Sequence, residues 1–337
     1  MSYAVRSNLT RRRMIGTITS SAAFLFGENF AQQPTDAQER VQADATKAAK
    51  IIDSHIHLVD PKLPGVPLGA TPNGISLDDT LERVAKTVRE EMEQSDTIAA
   101  LCMPQYGKLP PDDILGVNRT LALKELVPNL HAIGIADPQR IAPDDRKQIE
   151  KLLAEKQVKA LKCYLGYVHA MPSDLGYAWY FQMAQKYSIP IIFHTGDTYS
   201  RKAKLKYAHP LGVDEVVVDY PEVNFVLAHL GNPWITDAAE IIYKNNQLGA
   251  GGNVWTDLSG LLVGPQFATY SQSGVLDELK KKVRYAIGYS ERPDRFLYGS
   301  DWPLSKMVVY RDFIREAIPE EHHKAIFSDN AKDLFKL

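Results

Sequence analysis

Ile51-Ile52-Asp53-Ser54-His55-Ile56-His57 is the stretch on which the reading of this chain turns. It is a short apolar run, and alternate residues of a β-strand face the same side. Asp53, His55 and His57 are therefore expected on one face, with two imidazoles together at the strand's end. Such a pair can hold one transition-metal ion between them. His-x-His also arises by coincidence in loops, so the weight falls on what recurs downstream.

Three later apolar runs end in the same manner. Ile189-Pro190-Ile191-Ile192-Phe193 leads into His194, Val223-Asn224-Phe225-Val226-Leu227-Ala228 into His229, and Phe296-Leu297-Tyr298-Gly299-Ser300 into Asp301. A fourth run, 158–164, carries Lys162 near its end. His194, His229 and Asp301 stand where a buried run meets Thr195-Gly196, Leu230-Gly231-Asn232 or Trp302-Pro303, which are loop signals. A lone buried histidine is usually satisfied by a backbone carbonyl. Five strand ends with the same pattern argue for one joint site.

Eight apolar runs can be counted: 51–57, 97–103, 131–136, 158–164, 189–194, 223–229, 253–258 and 296–301. Amphipathic stretches separate most of them. Leu81, Val84, Val88 and Met92 recur at helical spacing within 77–94, with Asp78 and Asp79 suited to the helix start. Further helices are expected over 118–126, 143–156, 175–187, 213–220, 234–245, 275–287, 306–318 and 320–335. Alternating strands and helices make a parallel sheet. Eight such units fit an α/β fold, the (β/α)8 TIM-type barrel, with a metal site at the C-terminal ends of its strands. An open doubly wound sheet is the alternative and would gather ligands at one crevice. Parity then places Lys162 with Ala160 and Val158 toward the barrel axis, and Leu161 and Cys163 toward the helices. Asp301 would point inward with Gly299 and Leu297. The loose stretches 60–76 and 260–273 are expected as long loops over the site.

The chain has 337 residues, 45% hydrophobic and 24% charged, with a formal charge of −2. That is an ordinary globular balance, without the basic clusters of a nucleic-acid binder. No apolar run reaches the length of a membrane span, so none is expected. The N-terminus differs. Thr10-Arg11-Arg12-Arg13-Met14-Ile15 precedes a mildly apolar, acid-free stretch over 16–27. Residues 1–31 read as an export signal and resemble the bacterial twin-arginine type, with cleavage after Ala31. Asn29 is a poor residue for that cleavage site, and a disordered basic tail is the alternative. Residues 32–49 read as a polar linker and 50–337 as the barrel; the mature protein is expected to be periplasmic or secreted. A homodimer is left open. Cys102 and Cys163 should lie about 9–10 Å apart with one strand between them. That is too far for a disulfide, so both are expected as free thiols.

The order Asp53-x-His55-x-His57, Lys162, His194, His229, Asp301 resembles the amidohydrolase superfamily. Ile192-Phe193-His194-Thr195-Gly196, Leu227-Ala228-His229-Leu230-Gly231-Asn232 and Tyr298-Gly299-Ser300-Asp301-Trp302-Pro303 resemble its amidohydrolase-related branch. So does the ending Ser328-Asp329-Asn330-Ala331-Lys332-Asp333-Leu334-Phe335. The resemblance covers about residues 50–337 and implies His55, His57, His194 and Asp301 as metal ligands. His229 would be catalytic, or would ligate a second ion. Lys162 would be carboxylated and bridge two ions, or bind a substrate carboxylate, or form a salt bridge to Asp53 or Asp301. Asp53 would orient a ligand or fill a barrel layer. Three imidazoles and one carboxylate suit Zn²⁺, with Mn²⁺ as the alternative and one ion favoured over two.

The implied reaction is hydrolysis of an ester, lactone or amide in a small molecule through metal-activated water. Asp301 would take the water's proton and return it to the leaving group. His229 would hold the developing oxyanion. Non-oxidative decarboxylation of an aromatic or unsaturated acid is the alternative, and a non-enzymatic metal-binding protein a third reading. Lys162, Asp197, Asn232, Tyr164 and Trp302 form the expected substrate-binding set, with Tyr106, Tyr167 and Trp234 as further candidates for the pocket wall.

Overall fold

In the computed structural model the described residues are 50–59, 75–76, 78–104, 107, 109–140, 142–246 and 252–337. The expected export signal and linker, Tyr106 and most of the 60–76 loop lie outside them. Eight strands pair in parallel and in chain order: β1 (Ile51–Ile56), β2 (Thr97–Cys102), β3 (Leu130–Ile135), β4 (Val158–Cys163), β5 (Ile191–His194), β6 (Phe225–Ala228), β7 (Val254–Asp257) and β8 (Phe296–Leu297). The ends of this row meet. Ser54 N donates to Tyr298 O at 2.9 Å and Asp301 N to His55 O at 2.8 Å, and Ile56 bridges Trp302. This is the (β/α)8 barrel, and the chain-order pairing excludes the doubly wound sheet.

One apolar side chain from each strand fills the interior: Ile52, Leu101, Ile133, Ala160, Ile192, Val226, Trp255 and Leu297. Ala331, Leu334 and Phe335 of the C-terminal helix (Asn330–Phe335) join that cluster. Asn330 Nδ2 donates to Phe296 O, and Lys159 Nζ to Lys336 O, both near strand starts, so the helix closes the end of the barrel opposite the strand C-termini. Outside the sheet, Phe181, Phe193 and Phe225 pack ring on ring, each buried and each contributing about 1.5–3 kcal/mol.

Strict strand alternation fails twice. Pairing to β3 shifts register between Ala132 and Ile133, and Val158 joins the outer cluster with Leu161 and Cys163 instead of facing the axis. In β1, Ile52 points inward while Ile51 and Ile56 join outer clusters, with register shifts at Ile51/Ile52 and Asp53/Ile56. Asp53 is consequently not aligned with the histidine pair. Its Oδ1 accepts from the backbone amides of His55 (3.1 Å) and Ser300 (3.0 Å). Burial pushes its carboxyl up to about 7.

The first helix runs Leu81–Gln94, later than expected, because Thr80 caps it by accepting from Arg83 N at 3.3 Å. Its Val84, Val88 and Met92 are buried as the spacing requires. Part of the expected 260–273 loop is a helix, Gly264–Ser273, started by Pro265 and by Gln266 Oε1 accepting from Val263 N. The expected helix over 320–335 is broken into a 3₁₀ turn, a π segment and the closing helix. Among the described residues no helix is long and apolar enough to cross a membrane. Cys102 and Cys163, on β2 and β4, are both free and buried.

Candidate metal centre

The C-terminal ends of β1, β4, β5, β6, β7 and the turn after β8 bring the chemistry-bearing residues together. His57 Nε2 lies 3.3 Å from Asp301 Oδ1 and His55 Nε2 lies 3.6 Å from it. A tetrahedral ion with ligands at about 2.1 Å has ligand–ligand edges of about 3.4 Å. Among the described residues the buried Nε2 of His55 has no hydrogen-bond partner. The trio His55, His57 and Asp301 therefore fits a divalent ion, and its ligand atoms lie within 4.8 Å of one another. His57 is the most accessible member, with 24% of its side chain exposed toward the cavity.

His194 meets His229 rather than this trio. His194 Nδ1 stands 3.2 Å from His229 Nε2. His194 Nε2 faces the carbonyl of Asp197 at 2.9 Å, and His229 Nδ1 faces the carbonyl of Ser259 at 3.2 Å. A carbonyl only accepts, so each of those nitrogens carries the ring's proton. The two nitrogens left facing each other are both lone-pair acceptors. They repel unless a cation sits between them.

Two residues of this centre have left-handed backbones: His229 at φ 63° and Asp301 at φ 56°. Such strain costs about 1–3 kcal/mol each and persists only where neighbours enforce it. Here His229 N donates to Asp257 Oδ1 at 2.9 Å and Asp301 N to the His55 carbonyl. The next loop makes room with Gly260, at φ +59°, where a Cβ would stand 2.6 Å from His229 Nδ1 and 2.8 Å from Asp301 Oδ2.

Burial lowers the histidines: His55 falls to about 3, with the nearby Lys162 adding to the effect, and His194 and His229 fall as well. All three are neutral near pH 7, the state that ligates metals. Burial alone would raise Asp301, but the His57 hydrogen bond holds it below the usual carboxylate range. Lys162 is fully buried and pushed down to about 8 by burial, against the pull of Asp257 and Asp301. Its Nζ has no hydrogen-bond partner among the described residues and lies 5.7 Å from the Tyr164 ring centre. The expected alternative of a salt bridge to Asp53 or Asp301 does not form among the described residues.

A cavity of about 890 Å³ opens above these groups, lined in part by Lys162, Tyr164, Tyr167, Asp197, Asn232 and Trp234. Trp302, expected with them, is a core residue instead. It is fully buried and packs with Ile56, Val84 and Met307, because its carbonyl is held by His57 N and its strand-like pairing with Ile56 turns the ring outward. Asp257 and Ser259 were not anticipated. Asp257 Oδ2 lies 2.9 Å from His55 Nδ1, and Ser259 Oγ lies 3.1 Å from His55 Nδ1 and 2.9 Å from His229 Nδ1. Asp257 ends the apolar run Val254-Trp255-Thr256 just as His194 and His229 end theirs, so the same signal pointed to it. Ser259 carried none.

The amidohydrolase family profile matches residues 52–337. The chain belongs to the amidohydrolase family. It has no match among curated protein sequences. Solved structures resemble it at low identity. One is 5-carboxyvanillate decarboxylase of Novosphingobium aromaticivorans, complexed with manganese and 4-hydroxy-3-methoxy-5-nitrobenzoic acid: 12% identity, TM-score 0.53, covering 79% of this chain and 82% of that one. Another is dihydroorotase of Saccharomyces cerevisiae: 15% identity, TM-score 0.57, covering 86% and 85%. A third is 4-oxalomesaconate hydratase of Rhodopseudomonas palustris: 16% identity, TM-score 0.54, covering 85% and 95%. Their names span three reactions, and at such identities they speak for the fold alone.

Proposed function

We propose that this amidohydrolase is a metal-dependent hydrolase of an ester, lactone or amide bond in a small molecule. The observation that carries this reading is the convergence of His55 Nε2, without a hydrogen bond among the described residues, with His57 Nε2 and Asp301 Oδ1 beneath an open cavity. His55, His57 and Asp301 would hold Zn²⁺, with Mn²⁺ as the alternative. The ion supplies positive charge that polarises an acyl oxygen and lowers the pKa of water toward about 7. Asp301, ionised at neutral pH, takes the proton of the attacking water and returns it to the leaving group. Oδ2 serves for this, since it faces the gap left by Gly260.

Of the two roles expected of His229, its surroundings favour that of a ligand to a second ion. Its Nε2 is a lone-pair acceptor, so a neutral His229 does not donate to an oxyanion. The pair His194–His229 instead favours a second cation position beside the first. Lys162 then decides between two arrangements. Carboxylated, it would add the anion that two neighbouring ions need. Unmodified, it suits one ion and a substrate carboxylate, and that ammonium, without a hydrogen-bond partner among the described residues, is the observation favouring a decarboxylase as the second reading.

Metal stoichiometry of the purified chain, with and without added CO₂, separates the two arrangements. A panel of lactones, esters and aromatic acids, read for acid release against CO₂ release, separates the reactions. A His55→Ala, His57→Ala double variant that kept the full metal content would overturn the site.

A further inference from the structure

His55 can hold an ion through Nε2 only in the tautomer that carries its proton on Nδ1. We infer that Asp257 is the positioning residue that imposes this tautomer, and that Ser259, two residues on, holds His229 in the same one through its carbonyl. The consequence for metal binding rests on the reading proposed above; the tautomers themselves do not.

Asp257 ends β7, fully buried. Its Oδ1 accepts from the backbone amides of His229 (2.9 Å) and Ser259 (3.1 Å) and from the Ser259 hydroxyl. That oxygen is committed to two amides that can only donate and to a hydroxyl that donates to it. Its Oδ2 is left to His55 Nδ1 at 2.9 Å. The Ser259 hydroxyl, having given its one proton to Asp257, can only accept from the imidazoles beside it. Its oxygen lies 3.1 Å from His55 Nδ1 and 2.9 Å from His229 Nδ1. Each partner on this side therefore requires a proton on Nδ1 of both rings. The lone pairs are driven to Nε2, toward Asp301 on one ring and His194 on the other. One buried carboxylate thus prepares His55, and the turn that follows it prepares His229.

Asp257→Asn tests this with almost no change of shape. The two backbone amides still require an acceptor at the Oδ1 position, so the side-chain NH₂ must turn to His55 Nδ1. It donates there, and the His55 proton moves to Nε2. An Asp→Asn change beside a catalytic histidine in the serine-protease triad acts in this way, by imposing the wrong tautomer.

The experiment uses the full chain, ¹⁵N-labelled. Long-range imidazole ¹H–¹⁵N spectra after chelator treatment report the tautomers, and Zn²⁺ retention against graded chelator reports the ligand. The wild type should show Nδ1–H on His55 and on His229. Asp257→Asn should show Nε2–H on His55 and release Zn²⁺ at about 10–100-fold lower chelator, the usual cost of losing such a partner. Ser259→Ala should keep Nδ1–H on both rings, since Asp257 and the Ser259 carbonyl remain, and should lose less affinity than Asp257→Asn. Nε2–H on His55 in the wild type overturns the inference. So does an Asp257→Asn variant that keeps Nδ1–H and wild-type retention. A wild type that takes up neither Zn²⁺ nor Mn²⁺ refutes the proposed function instead, while the spectra still decide the tautomers.

Discussion

Gly260→Ala should disable the site while barely changing the fold. The new Cβ would stand 2.6 Å from His229 Nδ1, 3.1 Å from His229 Cε1 and 2.8 Å from Asp301 Oδ2. Ordinary heavy-atom contacts are about 3.5 Å, so the ring and the carboxylate must retreat by about 0.7–1 Å. A misplacement of about 1 Å costs about 10²-fold in rate. The left-handed φ of +59° adds a backbone penalty of about 1–2 kcal/mol. In domains of 150–250 residues each kcal/mol lowers the melting midpoint by about 2–4 °C, so a small shift is expected. Gly274→Ala is the matched control. It has φ +76° but nothing within 4 Å of the added Cβ, and so carries the backbone penalty without the collision. Both variants should melt a few degrees below wild type. Only Gly260→Ala should lose turnover on the best substrate from the lactone, ester and acid panel. Equal activity losses in the two variants, or full activity in Gly260→Ala, would refute the steric argument.

His229→Asn should lower activity by about 10²–10⁴-fold, the contribution of a positioned acid–base group. If a cation sits between His194 and His229, plasma emission spectrometry should also show part of the metal lost. Unchanged metal content would return His229 to a purely substrate-facing role. Lys162→Ala should release the same ion if Lys162 is carboxylated; otherwise it should raise KM for carboxylate-bearing substrates at constant metal content. Trp302→Ala should destabilise the chain by about 3–5 kcal/mol in denaturant unfolding, because it empties a fully buried core position. A loss confined to KM would restore Trp302 to the pocket. Both cysteines should react with a thiol reagent only after unfolding, and a Cys102–Cys163 disulfide seen by mass spectrometry would contradict the strand order.

How much of this was legible in the sequence depends on the range over which each feature is set. The barrel was legible because apolar runs, amphipathic runs and loop signals are local, and eight alternations of them suit a closed parallel sheet; the pairing in chain order is what excluded an open one. The ring of His55, His57, His194, His229 and Asp301 was legible for the same reason: strands running in parallel bring their C-terminal ends to one face. Helix starts were blurred, as at Leu81, because a single capping threonine outweighed two acidic residues beside it.

What the sequence left open was set by contacts between distant residues. A bulge in β1, imposed by its pairing to β2, turned Asp53 to the backbone amides of His55 and Ser300 and away from the histidine face. Closure of β1 against the turn after β8 drove Trp302 into the core although its neighbour Asp301 enters the site. The partner of His55 Nδ1 is a carboxylate 202 residues away, and that of His229 Nδ1 a hydroxyl from the same turn. Residue type at a strand's end is written in the chain. Which way a side chain turns past a bulge, and which nitrogen of a ring keeps its proton, are decided by the neighbours that only the closed barrel supplies.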